Sequence, residues 1–189
     1  MPFSFQKLEI PDVVLVKPRI FPDSRGFFLE TYKRSEFQAN GITTEFIQDN
    51  WSHSSQNVIR GMHYQKAPKT QAKLVIAIKG EILDVAIDLR KGSPTYAKWV
   101  AAKLSDKDGQ MLYVPGGFAH GFCVLSNEAD ILYKTSAEYA PELERGIRWD
   151  DPSIAVRWPV EKPIISPKDA ELPLLKDAGV DFHFETRPS

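Results

Sequence analysis

"EILDVAIDLRKGSPT", Glu81 to Thr95, decides the fold class. Leu83, Val85, Ile87 and Leu89 alternate with Ile82, Asp84, Ala86 and Asp88, the period-two pattern of a strand, and "KGSP" closes it with turn residues. The surrounding stretches read the same way. "AKLVIAIKG", "AKWVAAKL", "QMLYVP", "HGFCVL" and "ADILYKTS" are short strand-like runs closed by Gly80, "SDKDG", "PGG" and "SNEAD". Helix signals are few. "RSEFQANG" offers Ser35 as a cap and Asn40-Gly41 as a stop, and "SPKDAELPLL" offers a Ser166 cap with Pro167 at the first helical position. Many short strands with a few short helices predict a mainly β chain, a sandwich or barrel of jelly-roll type.

The chain has 189 residues, 42% hydrophobic and 26% charged, enough for one sizeable core. With no repeat, low-complexity segment or linker, residues 1–189 read as a single domain. The less regular tail after Trp158, carrying Pro159, Pro163, Pro167, Pro173 and Pro188, is expected to wrap the surface. A net charge of −1 excludes a general attraction to nucleic acid or anionic membrane. No apolar run approaches the roughly 20 residues that span a bilayer, and "MPFSFQKLEI" lacks a signal-peptide pattern. The lone Cys123 cannot form an internal disulfide and reads as core packing in "GFCVL". The expected setting is the cytoplasm.

Polar residues collect on several of these strands. "NVIRGMHYQ", Asn57 to Gln65, alternates like a strand yet carries Arg60 and His63, which are costly to bury without partners. Gln48 and Asn50 share a face if "EFIQDN" is extended, Lys73 opens "KLVIAI", and Asp84 and Asp88 lie opposite the apolar face of their strand. His120 and Phe122 share a face of "AHGFCVL", and Tyr133 follows in "ILYK". Each alone suits a solvated surface; together on neighbouring strands they predict a polar cavity inside the barrel.

The chemistry of that cavity is bounded by what is missing. Metal-binding cupins carry a His-x-His pair with a later Glu, and a further His after a Pro-x-Gly turn. Here His120 follows Pro115 and Gly117, but Gln65 and Gly61 stand where a second histidine beside His63 would be. Two histidines make a poor transition-metal site, and His53 and His183 would complete one only by coincidence of folding. No Gly-x-Ser-x-Gly elbow, P-loop or dinucleotide fingerprint occurs. A histidine, a tyrosine, a lysine, carboxylates and arginines remain, a set suited to proton transfer beside a carbonyl, with cations stabilising an enolate.

"DSRGFFLETY", "FIQDN", "VIRGMHYQ", "QAKLV", "GEILDVAIDLRKGSPTY", "VPGGFAHGF", "YKTSAEYAP", "DDPSIAVRWP" and "SPKDAELP" fall in the order and spacing of the dTDP-4-dehydrorhamnose 3,5-epimerases, within the cupin superfamily. The sequence resembles that family from about Ile10 to Leu175. It departs only mildly, with "GMHYQ" where the family more often has "GLHFQ" and "PGGF" where it often has "PEGF".

The resemblance implies a cupin-type jelly roll that inverts C3 and C5 of dTDP-4-dehydro-6-deoxy-D-glucose on the route to dTDP-L-rhamnose, without metal or redox cofactor. It implies His63 as base with Asp169 as partner, Lys73 at the C4 oxygen, Tyr133 as acid on the opposite face and Arg60 close to the sugar and phosphate. For Arg60 and His63 both to reach the ligand, a bulge near Gly61 is expected. The nucleotide would meet Arg25, Glu30, Gln48, Asn50, Glu144 and Lys168, with Tyr139 stacking on thymine and His120 a sugar contact or support. A homodimer is implied, its N-terminal strand crossing over, so that Arg25 and Glu30 serve either their own or the neighbour's site. Three alternatives compete: a single-centre epimerase or ketoisomerase on the same fold, a non-catalytic sugar-nucleotide binding module, and a metal-dependent cupin. The second needs no base and acid on opposite faces, and the third lacks its His-x-His.

Overall fold

A computed structural model describes residues 2–185; Pro188 and the rest of 186–189 lie outside them. Along the chain run β1 (Phe3–Lys7), β2 (Val14–Pro18) and a hairpin of β3 (Ile20–Asp23) and β4 (Gly26–Leu29). Helix α1 (Arg34–Ala39) leads to β5 (Gln48–Ser55), β6 (Ile59–Gln65), β7 (Lys73–Lys79) and β8 (Glu81–Asp88). β9 (Trp99–Ser105), β10 (Met111–Val114), β11 (Phe118–Val124), β12 (Glu128–Thr135) and β13 (Glu144–Gly146) follow, then the one-turn helix α2 (Pro167–Ala170). They form a six-stranded sheet, β1-β2-β10-β7-β12-β5, and a five-stranded sheet, β13-β6-β11-β8-β9, beside the separate β3-β4 hairpin. Every pairing of these strands is antiparallel, so the chain is mainly β, as the sequence predicts.

Alternation decides what each sheet turns inward. Along β7, Val75 and Ala77 enter the core that the two sheets share, with Leu112 and Ile131 of their own sheet and Ile82, Ala86, Phe118 and Phe122 of the other. Leu74 and Ile76 turn to the outer face, where Phe3, Val16 and Phe37 of α1 cover them. The five-stranded sheet is also covered on both sides: Val85, Ile87, Met62 and Tyr64 pack under Ile154, Val180 and Phe182 of the C-terminal segment. A sheet buried on both faces has little room for polar alternation, which is why β11 is buried along its whole length and why the acids within β8, Asp84 and Asp88, need partners.

Two sequence expectations are corrected. Ser35 does not cap α1; Lys33 occupies the N-cap and gives no side-chain bond, while Asn40 and Gly41 do end the helix, Gly41 at φ +83°. Asp88 does not belong to a polar cavity. It is fully buried and receives Arg90, Ser93 and Thr95, with Arg90 stacked over Phe118. The Ser166 cap holds, its hydroxyl accepting the Asp169 N–H at 3.1 Å, with Pro167 opening α2. The β3-β4 hairpin exposes Phe21, Phe27 and Phe28, the last two 64% and 66% exposed.

Candidate active site

The inward face of the sandwich turns polar at one end, and a cavity of about 550 Å³ opens there. Strand periodicity supplies its walls. Lys73 shares the face of Val75 and Ala77; Tyr133 that of Ile131; Asp84 that of Ile82 and Ala86; His120 that of Phe118 and Phe122. Asn50 and Ser52 stand opposite Tyr133 and Ile131 across the β5-β12 ladder, so they face inward too.

Arg60 and His63 join them through an irregularity in β6. His63 pairs with His120 and Arg60 with Phe122, so two residues, Gly61 and Met62, oppose the single Gly121. Such a bulge turns both polar side chains to the face of their partners, and both line the cavity. Gly61 makes it feasible: it sits at φ +131°, and a Cβ there would stand 2.5 Å from Gly121 Cα. The bulge expected from the glycine is therefore present.

Asp169, delivered by the cap of α2, grips this bulge twice. One oxygen lies 2.7 Å from His63 Nε2, the other accepts the Gly61 N–H at 3.2 Å. A carboxylate only accepts, so Nε2 carries a proton and, in the neutral ring, Nδ1 keeps its lone pair. Burial works against the charge of Asp169, but the His63 hydrogen bond, the imidazole and the Gly61 N–H hold it below the usual carboxylate range.

Burial also shapes the remaining titratable groups. It pushes the Lys73 ammonium down to about 8, with Asp84 and then Glu144 opposing the shift. It pushes Tyr133 well above the usual phenol range, although the hydroxyl hydrogen-bonds Ser52 Oγ at 2.8 Å. It lowers His120 against the pull of Asp84, 2.7 Å from its Nε2.

At the mouth, Glu144 ion-pairs with Lys168 and accepts the Tyr139 hydroxyl at 2.8 Å. Burial raises Glu144, yet these two bonds hold it below the usual carboxylate range. Gln48 donates to Asn50 Oδ1 and accepts the Tyr139 N–H, tying β5 to the loop before β13. Arg60 is aimed by bonds to Ser54 Oγ and His53 O.

Of the residues expected at a site, His63, Asp169, Lys73, Tyr133, Arg60 and His120 line the cavity with Asn50, Glu144 and Lys168. Gln48 and Tyr139 reach it through those partners, and the exposed Tyr139 ring is open to solvent. Arg25 and Glu30 do not line it; Arg25 is on the exposed hairpin, bonded to Asp23. Sequence reasoning missed Ser52, Thr135, Gln71 and Ser166 as lining residues. Ser52 was within reach of the alternation that pairs Gln48 with Asn50.

The family model of dTDP-4-dehydrorhamnose 3,5-epimerase matches residues 7–177. A Shigella flexneri dTDP-4-dehydrorhamnose 3,5-epimerase is 51% identical over 164 residues, 86% of this chain and 91% of its own. The Pseudomonas aeruginosa protein of that name is 48% identical over 174 residues, 91% of this chain and 96% of its own. Among solved structures, a Legionella pneumophila dTDP-6-deoxy-D-glucose-3,5-epimerase in complex with dTDP-4-keto-L-rhamnose superimposes with a TM-score of 0.93 at 41% identity, covering 97% of this chain and all of that one. A cavity that sets an imidazole–carboxylate pair, a lysine and a buried phenol around one space fits that company, and the chain belongs to the dTDP-4-dehydrorhamnose 3,5-epimerase family of isomerases, built on the cupin-type fold.

Proposed function

We propose that this chain inverts C3 and C5 of dTDP-4-dehydro-6-deoxy-D-glucose, giving dTDP-4-dehydro-L-rhamnose, and that residues 1–189 do so as one domain. The observation that carries the reading is the His63–Asp169 pair sharing one cavity with the Tyr133 hydroxyl and Lys73. Both carbons flank the C4 ketone, so loss of either proton gives an enolate, which an imidazole can reach where an unactivated C–H bond would be out of range. His63 Nδ1 takes the proton, and Asp169 holds the ring and stabilises the imidazolium. Lys73 stabilises the oxygen anion, and Tyr133 delivers a proton to the opposite face. Protons alone move and the oxidation level is unchanged, so the scheme needs no redox cofactor, and the Lys73 ammonium takes the place a metal ion would otherwise have at the enolate oxygen.

For the nucleotide, Arg60, Lys168 and Arg25 supply cationic donors for the pyrophosphate, and Gln48, Asn50, Glu144 and Glu30 supply polar partners. Tyr139 offers an open ring for thymine, and His120 supports the sugar. The setting we infer is cytoplasmic; among the described residues no helix is long and apolar enough to cross a membrane.

We also propose a homodimer in which the β3-β4 hairpin, with its exposed Phe27 and Phe28, reaches the neighbour and brings Arg25 and Glu30 to its cavity. Mixing inactive Arg25→Ala and His63→Asn chains tests this. Mixed dimers regain activity if Arg25 serves across the interface, because one of the two cavities then has both residues intact. Two inactive variants that stay inactive when mixed put Arg25 in its own chain's site or outside any.

The function itself is tested by NMR of dTDP-4-keto-6-deoxyglucose with the enzyme in D₂O, after exhaustive chelation with EDTA. Deuterium is expected at both C3 and C5, with the L-rhamno product and an undiminished rate. Exchange at one carbon only would make the chain a single-centre epimerase. Rate lost on chelation and restored by a divalent ion would move it to the metal-dependent cupins.

A further inference from the structure

Behind the cavity wall lies a second imidazole–carboxylate pair, His120 and Asp84, whose carboxylate has no task in the scheme above. Asp84 on β8 is fully buried, and one of its oxygens takes the His120 Nε2–H at 2.7 Å. Its other oxygen, Oδ2, is the only buried side-chain polar atom among the described residues with no hydrogen-bond partner. A carboxylate placed between apolar strands and left half-paired is costly, and sequence alternation would equally well have put an apolar residue there.

Its surroundings give it a role. Asp84 faces inward beside Ile82 and Ala86, under the lining formed by His120, Phe122 and Tyr133. Across the sandwich stands Lys73, which forms no ion pair with any carboxylate among the described residues, and whose charge feels Asp84 before any other acidic group. A desolvated ammonium in such a place loses its proton unless a negative charge stays close.

We propose that Asp84 is a positioning residue for enolisation: it fixes His120 as the Nε2–H tautomer and keeps the Lys73 ammonium charged at the cavity floor. With Nε2–H given to Asp84, His120 presents Nδ1 as an acceptor, while Lys73 presents donors to the substrate oxygen. The floor thus has one acceptor and one cation, each set by the same buried carboxylate. This inference rests on the reading of Lys73 as the group facing the enolate oxygen.

The charged and titratable groups around Lys73 come from every wall: Asp84 from β8, His120 from β11, His63 and Arg60 from β6, Tyr133 from β12, Glu144 from β13, with Asp169 and Lys168 from α2. Among the acidic ones, Asp84 and Glu144 act on the lysine, and only Asp84 is without a cationic partner of its own, since Glu144 is held by Lys168.

The test is the pH profile of kcat/KM, which reports groups of the free enzyme. The wild-type alkaline limb is expected near pH 8, where Lys73 loses its proton. Asp84→Asn keeps the shape and an acceptor for His120 but removes the charge, so the limb should move down by about 1 pH unit, the lower end of what a close opposite charge supplies. The loss of kcat/KM is then about five-fold larger at pH 8 than at pH 6. The position of a limb does not depend on how much of a sample is folded, so a fragile variant still answers; Asp84→Ser serves if Asp84→Asn is not recovered. In ¹⁵N spectra of labelled protein, His120 Nδ1 should appear unprotonated at neutral pH in the wild type. A variant limb that stays at the wild-type pH, with activity scaled down equally at all pH values, reduces Asp84 to a structural part and overturns the inference. A separate Lys73→Met variant that keeps the wild-type rate and alkaline limb overturns the reading of Lys73 itself.

Discussion

His63→Asn abolishes deuterium incorporation at both C3 and C5 and with it epimerisation, while dTDP binding stays close to wild type. The proposed scheme begins with a proton leaving carbon, and every later step depends on it. In the structure two cavity imidazoles give Nε2–H to a carboxylate, but His63 is 29% exposed where His120 is 5%, so His63 is the one substrate can reach with its Nδ1. Asparagine has a similar shape and can still donate to Asp169, but it offers no basic nitrogen. A positioned general base contributes roughly 10²–10⁴-fold. Nucleotide binding survives because Tyr139, Glu144 and Lys168 lie at the mouth, held by their own bonds. Asp169→Asn should lose less, since it orients the base without replacing it. The measurement is NMR in D₂O beside calorimetric titration with dTDP. Wild-type exchange rates in the His63 variant would show that another group is the base.

Tyr133→Phe is expected to separate exchange from inversion. A base on one face can remove a proton and return a solvent-derived one with configuration unchanged; inversion needs a donor on the other face. The Tyr133 hydroxyl is held by Ser52 Oγ, and burial keeps its pKa above the usual phenol range, so it stays protonated throughout the neutral range. Phenylalanine fills the same space against His120 and Phe122, so the pocket should persist. Deuterium exchange at C3 or C5 then remains measurable, while inversion falls by roughly 10²–10⁴-fold, the usual loss for one positioned acid. Equal loss of both would mean that the phenol acts before the enolate forms, at the ketone oxygen. Near-normal inversion would mean that water or another residue supplies the proton.

The strands were legible because their alternation is a local property. β8 and β11 could be placed from their own few residues, and the shared face of His120 and Phe122 followed at once. Alternation tells which side a residue faces, not how far along the sandwich it lies. Asp84 and Asp88 therefore read alike, although one sits beneath the cavity and the other is locked under Arg90. The bulge in β6 was signalled by Gly61 between two polar residues, but its register depends on Gly121, far along the chain. Ser35 shows the limit of short helix signals: a good capping residue one turn from a stop still gave way to Lys33. The residues of α2 were within reach of capping rules, yet that this turn would land on β6 was visible in no local pattern and came only from the resemblance.

The double hold of Asp169 on β6 has a consequence for the timetable of synthesis. Its partner His63 stands 106 residues earlier in the chain. A ribosome adding about 5–20 residues per second needs on the order of five to twenty seconds to travel from one to the other. Throughout that interval the nascent sheets can pair and the cavity walls can form, but the imidazole has nothing to turn it and the bulge has no acceptor for its amide. A chain interrupted before residue 169 would accordingly keep much of its wall and lack its oriented base. Competence arrives in one step, with the capping turn that begins at Ser166.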